Sequence, residues 1–260
     1  MEFQFIIYEK SEGIATITLN RPEALNAWSK ELAKEFLTAL DDARKDENVK
    51  VVVITGAGEK AFSAGADIKA MKGMNALKAR ALSQMGYEVC NAIESIEKPV
   101  IAAINGYALG GGMEVSMACD FRIASEKARM GQTEINIGLI PGWGGTQRLT
   151  RLVGKAKAKE LVYTGKIIDA NTAFQYGLVG KVVPAEEFMM AVRQFAKELA
   201  GKAPVALKVA KSLIETGIDV DLKAALALER EGFGVVASSE DLQEGVSAFI
   251  EKRKPTWKGK

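Results

Sequence analysis

The chain contains no histidine, so the side chain that ordinarily carries protons near neutral pH is missing. Acid–base chemistry here must fall to carboxylates, lysines, tyrosines or cysteines. Cysteine is almost absent too. Cys90 and Cys119 have no metal-type spacing and sit in apolar, helix-like stretches, so both read as buried reduced thiols of a cytoplasmic protein. With no histidine, two cysteines and scattered acids, no cluster of ligand spacing forms and no metal site is expected. The net charge of +2 gives no electrostatic ground for a nucleic-acid or anionic-membrane partner. No uninterrupted apolar run approaches the length of a bilayer span. The opening residues, Met1 to Tyr8, lack the basic and apolar regions of a signal peptide. The expectation is a soluble cytoplasmic protein.

A length of 260 residues, 48% hydrophobic and 26% charged, suits one main domain with an appendage. Phe3–Tyr8 and Ile14–Leu19 read as strands joined by a hairpin at Ser11-Glu12-Gly13. Ser29 can cap a helix with an apolar stripe at Ala33, Phe36, Leu37 and Leu40. Val51–Ile54 and Val100–Ile104 are β-branched or apolar without alternation, as in strands buried on both faces. A helix from about Leu77 to Ile96 lies between them, and Phe121–Ala124 makes a further strand. That order predicts an α/β fold with a largely parallel sheet. Beyond about residue 185 only helical patterns remain: Glu186–Ala200, one opened by Pro204 and closed by Gly217, one from Asp221, and one from Asp241. Such a tail either packs on a neighbouring subunit or folds back on its own body.

The chemistry is concentrated in glycine-rich segments. Gly56-Ala-Gly58-Glu-Lys-Ala61 follows a strand and loosely matches a dinucleotide fingerprint, but no helix opens after it and no acid ends the next strand. No P-loop and no G-x-S-x-G elbow occurs. Ser63-Ala64-Gly65-Ala66-Asp67 and Leu109-Gly110-Gly111-Gly112 each follow a buried strand and offer small residues whose amides can approach a ligand. The second also opens a helix, with its free donors. These segments read either as two halves of an oxyanion hole or as two tight turns. Beside them stand Glu114, directly after the glycines, and Glu134, in Gly131-Gln-Thr-Glu134, ahead of Pro141-Gly142-Trp143-Gly144-Gly145.

Phe62-Ser-Ala-Gly-Ala66-Asp-Ile-Lys69, Asn105-Gly-Tyr-Ala-Leu-Gly-Gly-Gly-Met-Glu114, Gly131-Gln-Thr-Glu134 and Gly138-Leu-Ile-Pro-Gly-Trp-Gly-Gly-Thr-Gln-Arg148-Leu together resemble the crotonase superfamily. The likeness extends from Leu19-Asn-Arg-Pro-Glu-Ala-Leu-Asn26 to Glu244-Gly-Val-Ser-Ala-Phe-Ile-Glu-Lys-Arg253. It implies a spiral of repeated ββα units over residues 1–195 and a helical trimerisation region over 196–260, assembled as a homo-trimer or a dimer of trimers. It implies reversible hydration of short-chain enoyl-CoA, with coenzyme A as part of the substrate and no separate cofactor. By motif, Ala66 and Gly111 hold the thioester oxygen, Glu114 and Glu134 are the catalytic pair, and Gly142 helps to orient water. Glu134 is then the acid and Glu114 the base, although the sequence alone fits the reverse equally. Coenzyme A would contact Ala24, Leu25, the stretch Ala64, Ala66, Asp67, Ile68 and Lys69, and Phe233 with Lys252 in the tail. Asp67 serves equally as a helix cap, and Lys252 as the solvated basic end of a helix. Trp143 stands where relatives more often carry a smaller residue. Its indole either closes the acyl pocket or swings outward onto another loop or subunit. An isomerase and a non-catalytic or RNA-binding member of the superfamily are the competing readings. The retained glutamate pair counts against both, and the near-neutral charge against RNA.

Overall fold

The computed structural model describes residues 2–260, except the side chains of residues 69 and 70. β1 (Ile6–Ser11) and β2 (Ile14–Leu19) form an antiparallel hairpin. Glu12 and Gly13 turn it at φ +53° and +80°, the paired left-handed conformations of a primed turn. The first strand begins at Ile6 rather than Phe3, because the amides of Gln4 and Phe5 donate to the Glu35 carboxylate instead. Ser29 caps α1 (Lys30–Lys45) by accepting from the Leu32 amide, and the buried stripe of that helix includes Ala33, Phe36 and Leu40.

From there the chain repeats one pattern three times. β3 (Val51–Gly56), β4 (Ala61–Ser63) and α2 (Ala76–Ser95) make the first turn. β5 (Val100–Ile104), β6 (Tyr107–Leu109) and α3 (Gly111–Ala118) make the second. β7 (Phe121–Ser125), β8 (Arg129–Gly131) and α4 (Gly145–Thr164) make the third. This is the spiral of ββα units that the resemblance implied. After β9 (Ile168–Asp169) and α5 (Ala170–Gln175), β10 (Lys181–Val183) closes the larger sheet. Its order is β1-β2-β3-β5-β7-β10, and a smaller sheet has the order β4-β6-β8-β9.

β3 is buried along its whole length because both its faces are covered. Val52 and Ile54 pack with α1 and α2, whereas Val51 and Val53 pack against α6 (Phe188–Ala200) on the opposite side. That is why its sequence does not alternate. In the smaller sheet β4, β6 and β8 are parallel neighbours. Their carboxyl ends, Ser63, Leu109 and Gly131, therefore release three loops side by side, roughly 5 Å apart. Those loops carry Ala66, Gly111 with Glu114, and Glu134. The glycine run at Gly56 leads into β4 rather than a helix, in line with its poor fit to a dinucleotide fingerprint.

The expected division at residue 195 falls inside α6. Beyond it, α7 (Pro204–Gly217), α8 (Leu222–Ala237) and α9 (Glu240–Glu251) form the tail. Its most buried polar tie to the body is Lys211, whose Nζ donates to Asp120 Oδ2 at 2.9 Å and to the carbonyls of Ile93 and Lys98, and exposed pairs join Lys208 to Glu97 and Asp219 to Arg151. Trp257 Nε1 donates to the Gly201 carbonyl, and Asp241 accepts from the amides of Lys258 and Gly259. Even so, Ile214, Leu222, Phe233, Phe249 and Ile250 each stay more than two-thirds exposed, between 71% and 86%. The tail thus folds back onto its own chain and still presents an apolar surface. Replacing Lys211 with alanine leaves Asp120 to the Val100 amide and takes the donor from the carbonyls of Ile93 and Lys98, and should lower unfolding free energy by about 1–3 kcal/mol. Denaturant titration checks this; an unmoved midpoint would mean that the cluster carries no stability.

Candidate active site

The first loop is shaped by a parallel bridge between Trp28 and Ala66. Trp28 N–H donates to Gly65 O, and Asp67 N–H donates to Trp28 O. In that pattern the amide of Ala66 points to the other side, and it has no acceptor among the described residues. Gly65 has φ +98°, and a Cβ on it would lie 2.9 Å from Leu109 O and 3.2 Å from Gly111 N. Glycine is therefore what lets the two loops touch. Gly111 opens α3, so its amide lacks an intrahelical acceptor. Two backbone donors are left on adjoining segments.

Glu114 lies in the first turn of α3 and is only 1% exposed. Its Oε1 accepts from Trp143 N at 2.7 Å and Gly145 N at 2.6 Å. Gly145 is the first residue of α4, so one carboxylate sits at the amino ends of two helices, where free amides and dipoles favour negative charge. Burial pushes its pKa up, and the amides of Gly145 and Trp143, the Arg148 charge and the Gly142 amide offset only part of that rise. Gly142 thus stands against the carboxylate, and its own carbonyl accepts from Ser83.

Glu134 opens a single 3-10 turn, Glu134–Ile137, directly beyond β8. A Cβ on Gly110 would lie 3.1 Å from its Oε1, so the carboxyl packs against the glycine run. It is pushed up to about 7, first by burial and then by the Glu114 charge. Between the two acids lies Gln132, fully buried. With its amide nitrogen turned toward Glu134 it donates to both carboxyl oxygens, at 3.0 and 3.1 Å. With the amide reversed, the same position presents an acceptor to a protonated acid. Gln132 can therefore partner either state of Glu134.

A family profile described as enoyl-CoA hydratase/isomerase matches residues 9–260. The chain is 48% identical over 254 residues to a short-chain-enoyl-CoA hydratase of Clostridium acetobutylicum, covering 98% of this chain and 97% of that one. It is 44% identical to a crotonyl-CoA hydratase of Syntrophomonas wolfei, with 98% of each covered. Among solved structures, an enoyl-CoA hydratase from Bacillus anthracis superposes with a TM-score of 0.96 at 44% identity, covering 99% of this chain and 100% of that one. The chain belongs to the enoyl-CoA hydratase/isomerase family.

This family member brings Ala64, Ala66, Asp67, Gly111, Glu114, Glu134 and Gly142 to one edge of the smaller sheet. Ala24 and Leu25 lie alongside: Ala64 N–H donates to Leu25 O, and Arg21 pairs with Asp67 at 3.3 Å. Ile68 is 63% exposed. The side chain of Lys69 lies outside the described residues. Phe233 on α8 and Lys252 at the end of α9 have no described contact with this cluster within the one chain. Trp143 does not swing outward. Its indole is 3% exposed, lodged between α2 and α3 against Gly86 and Gly111. It stands edge to face with Trp28 and donates to the Leu82 carbonyl at 3.2 Å. Gln132 went unnoticed in the sequence, although it stands two residues before Glu134 at the carboxyl end of a strand.

The raised pKa of Glu134 has a consequence for stability. Unfolded, the carboxyl titrates near its ordinary value; folded, it holds its proton to about 7. The folded protein thus binds more protons in that window, and stability from this group declines as pH rises through it. Denaturant unfolding should show the wild type losing stability from pH 5 to 8 and Glu134→Gln losing less. Identical slopes would mean that Glu134 titrates as in water.

Proposed function

We propose that this chain reversibly hydrates short-chain trans-2-enoyl-CoA to 3-hydroxyacyl-CoA, with Glu114 and Glu134 as the catalytic pair and the amides of Ala66 and Gly111 as the oxyanion donors. One observation carries the reading: a buried, amide-held carboxyl and a half-buried one raised to about 7 stand beside two backbone donors that have no acceptor among the described residues. Addition of water puts a hydroxyl on Cβ and a proton on Cα while negative charge grows on the thioester oxygen. Fixed amides at that oxygen stabilise the charge, each worth about 3–4 kcal/mol. Glu114, held by three amides and facing Arg148, suits the base that takes a proton from water. Glu134, with a pKa near 7, suits the acid that delivers a proton to Cα. The run of this reaction in reverse, as a 3-hydroxyacyl-CoA dehydratase, uses the same groups in exchanged roles.

The loop from Ala64 to Lys69, with Ala24 and Leu25, forms the coenzyme A wall in this reading, and no separate cofactor is needed. The exposed apolar face of α8 and α9 supports a homo-trimer or a dimer of trimers acting in the cytoplasm. In such an assembly Phe233 and Lys252 complete the coenzyme A site. The names and identities of the relatives support a short acyl chain, and so does Trp143, whose indole fills the space beside Gly111.

Glu114→Gln and Glu134→Gln should each lower turnover of crotonyl-CoA by at least ~100-fold, and the double variant by less than the product of the two. Near-normal hydration by either folded single variant would defeat the two-glutamate mechanism. Trp143→Ala should raise kcat/KM for enoyl-CoA of eight carbons or more relative to crotonyl-CoA, since each methylene admitted to an apolar pocket is worth about 1–3 kcal/mol. An unchanged chain-length profile would leave the indole as core packing alone.

A further inference from the structure

Arg148 lies in the first turn of α4, and its side chain is only 15% exposed. Nε and Nη2 donate to Glu94 Oε1 and Oε2 at 2.5 and 2.6 Å, a two-pronged pairing with α2. Nη1 donates to the carbonyl of Trp143 at 2.7 Å. Trp143 is also the residue whose amide donates to Glu114 Oε1 at 2.7 Å. The guanidinium reaches that carbonyl by passing beneath Gly144, at φ +100°, where a Cβ would collide with Nη1. A planar fork with fixed donors engages all three of its nitrogens here, which a lysine ammonium does not reproduce. A run of direct contacts thus joins Glu94 on α2 to Arg148, then to the Trp143 backbone, and finally to the Glu114 carboxylate.

We propose that the Glu94–Arg148 pair is a positioning clamp for catalysis: it fixes the Trp143–Gly145 turn, and through the amides of that turn it aims the Glu114 carboxylate at its water. The inference rests on the reading of Glu114 as the base. Arg148 touches no reacting atom and acts through the turn. It also acts through its charge, because a buried cation near Glu114 favours the ionised carboxylate. The other charged or titratable groups that face this region are Glu94 and Cys90 from α2, Glu215 from α7 and Glu134 beyond β8. Burial keeps the Cys90 thiol neutral, so Arg148 is the cation set against the carboxyls of Glu94, Glu114 and Glu215.

The test uses the full-length protein with crotonyl-CoA and the variants Arg148→Met, Arg148→Lys and Glu94→Gln. A carboxylate displaced by a fraction of an ångström to one ångström loses roughly 30–100-fold in rate, so Arg148→Met should lose that much kcat while KM changes by less than about twofold. Its acidic limb of kcat/KM should move to higher pH, since loss of the cation favours protonated Glu114. Arg148→Lys keeps the charge, so its acidic limb should stay near that of the wild type while kcat still falls. Glu94→Gln leaves the cation less neutralised, so its limb should move to lower pH with a reduced kcat. A folded Arg148→Met protein with unchanged kcat and unchanged limb would overturn the clamp. If Arg148→Met does not fold, the isosteric Glu94→Gln decides: a wild-type kcat and limb there overturn it equally. Glu114→Gln separates the two levels. Should it retain turnover, the glutamate mechanism itself falls. Should it be inactive while the Arg148 and Glu94 variants are silent, only the clamp does.

Discussion

A carboxylate buried at the meeting of two helix amino termini is the constraint around which the rest of this structure is arranged. Glu114 has almost no contact with solvent, and an isolated ion in that position is expensive. The amides of Trp143 and Gly145 stand in for water at its Oε1. The Gly145 amide is a free donor because α4 begins there, and the Trp143 amide because it lies in the turn ahead of that helix. They reach the carboxylate only because the preceding turn is held by Ser83, by Leu82 and by Arg148. Remove any of these and the charge loses solvation that bulk water cannot supply at this depth.

The smaller sheet turns that constraint into a site. Three short parallel strands end together and release the ingredients side by side: the Ala66 amide from the first, the Gly111 amide and the amide-held Glu114 carboxyl from the second, and a carboxyl raised to about 7 from the third. Small residues at Gly65, Gly86 and Gly111 allow the approach of loop to loop and of indole to backbone. The same closeness produces the electrostatic asymmetry. Two acids near one another cannot both ionise freely. Burial raises both, and at Glu114 the backbone amides and the Arg148 charge work against that rise, whereas the Glu114 charge adds to it at Glu134. The division of labour proposed for adding water across a conjugated double bond draws on this difference in hydrogen-bond supply.

Much of this was legible in the residues themselves. The strands of the larger sheet announced themselves through unbroken β-branched runs such as Val51–Ile54, and Ser29 marked a helix start that the structure keeps. The absence of histidine directed attention to carboxylates, and the glycine runs beside Glu114 and Glu134 marked the loops that meet. What stayed hidden has physical reasons. Strands of three residues, such as β4, β6 and β8, are too short to carry a period. The pairing of Arg148 with Glu94 spans 54 positions, so no local pattern contains it. The direction of the Trp143 indole was open until the fold placed Gly86 opposite it. Of the two readings the tail offered in the sequence, the fold-back is seen, with Lys211 binding it to its own body, while Phe233 and Phe249 remain uncovered.

The account stands or falls on whether water enters the substrate. Crotonyl-CoA mixed with the protein in oxygen-18 water, with loss of the conjugated thioester absorbance followed and the product analysed by mass spectrometry, addresses that directly. The glutamate pair predicts saturable loss of absorbance and one labelled oxygen on the β-carbon of 3-hydroxybutyryl-CoA. Unchanged absorbance, or a shifted double bond without label, would contradict it.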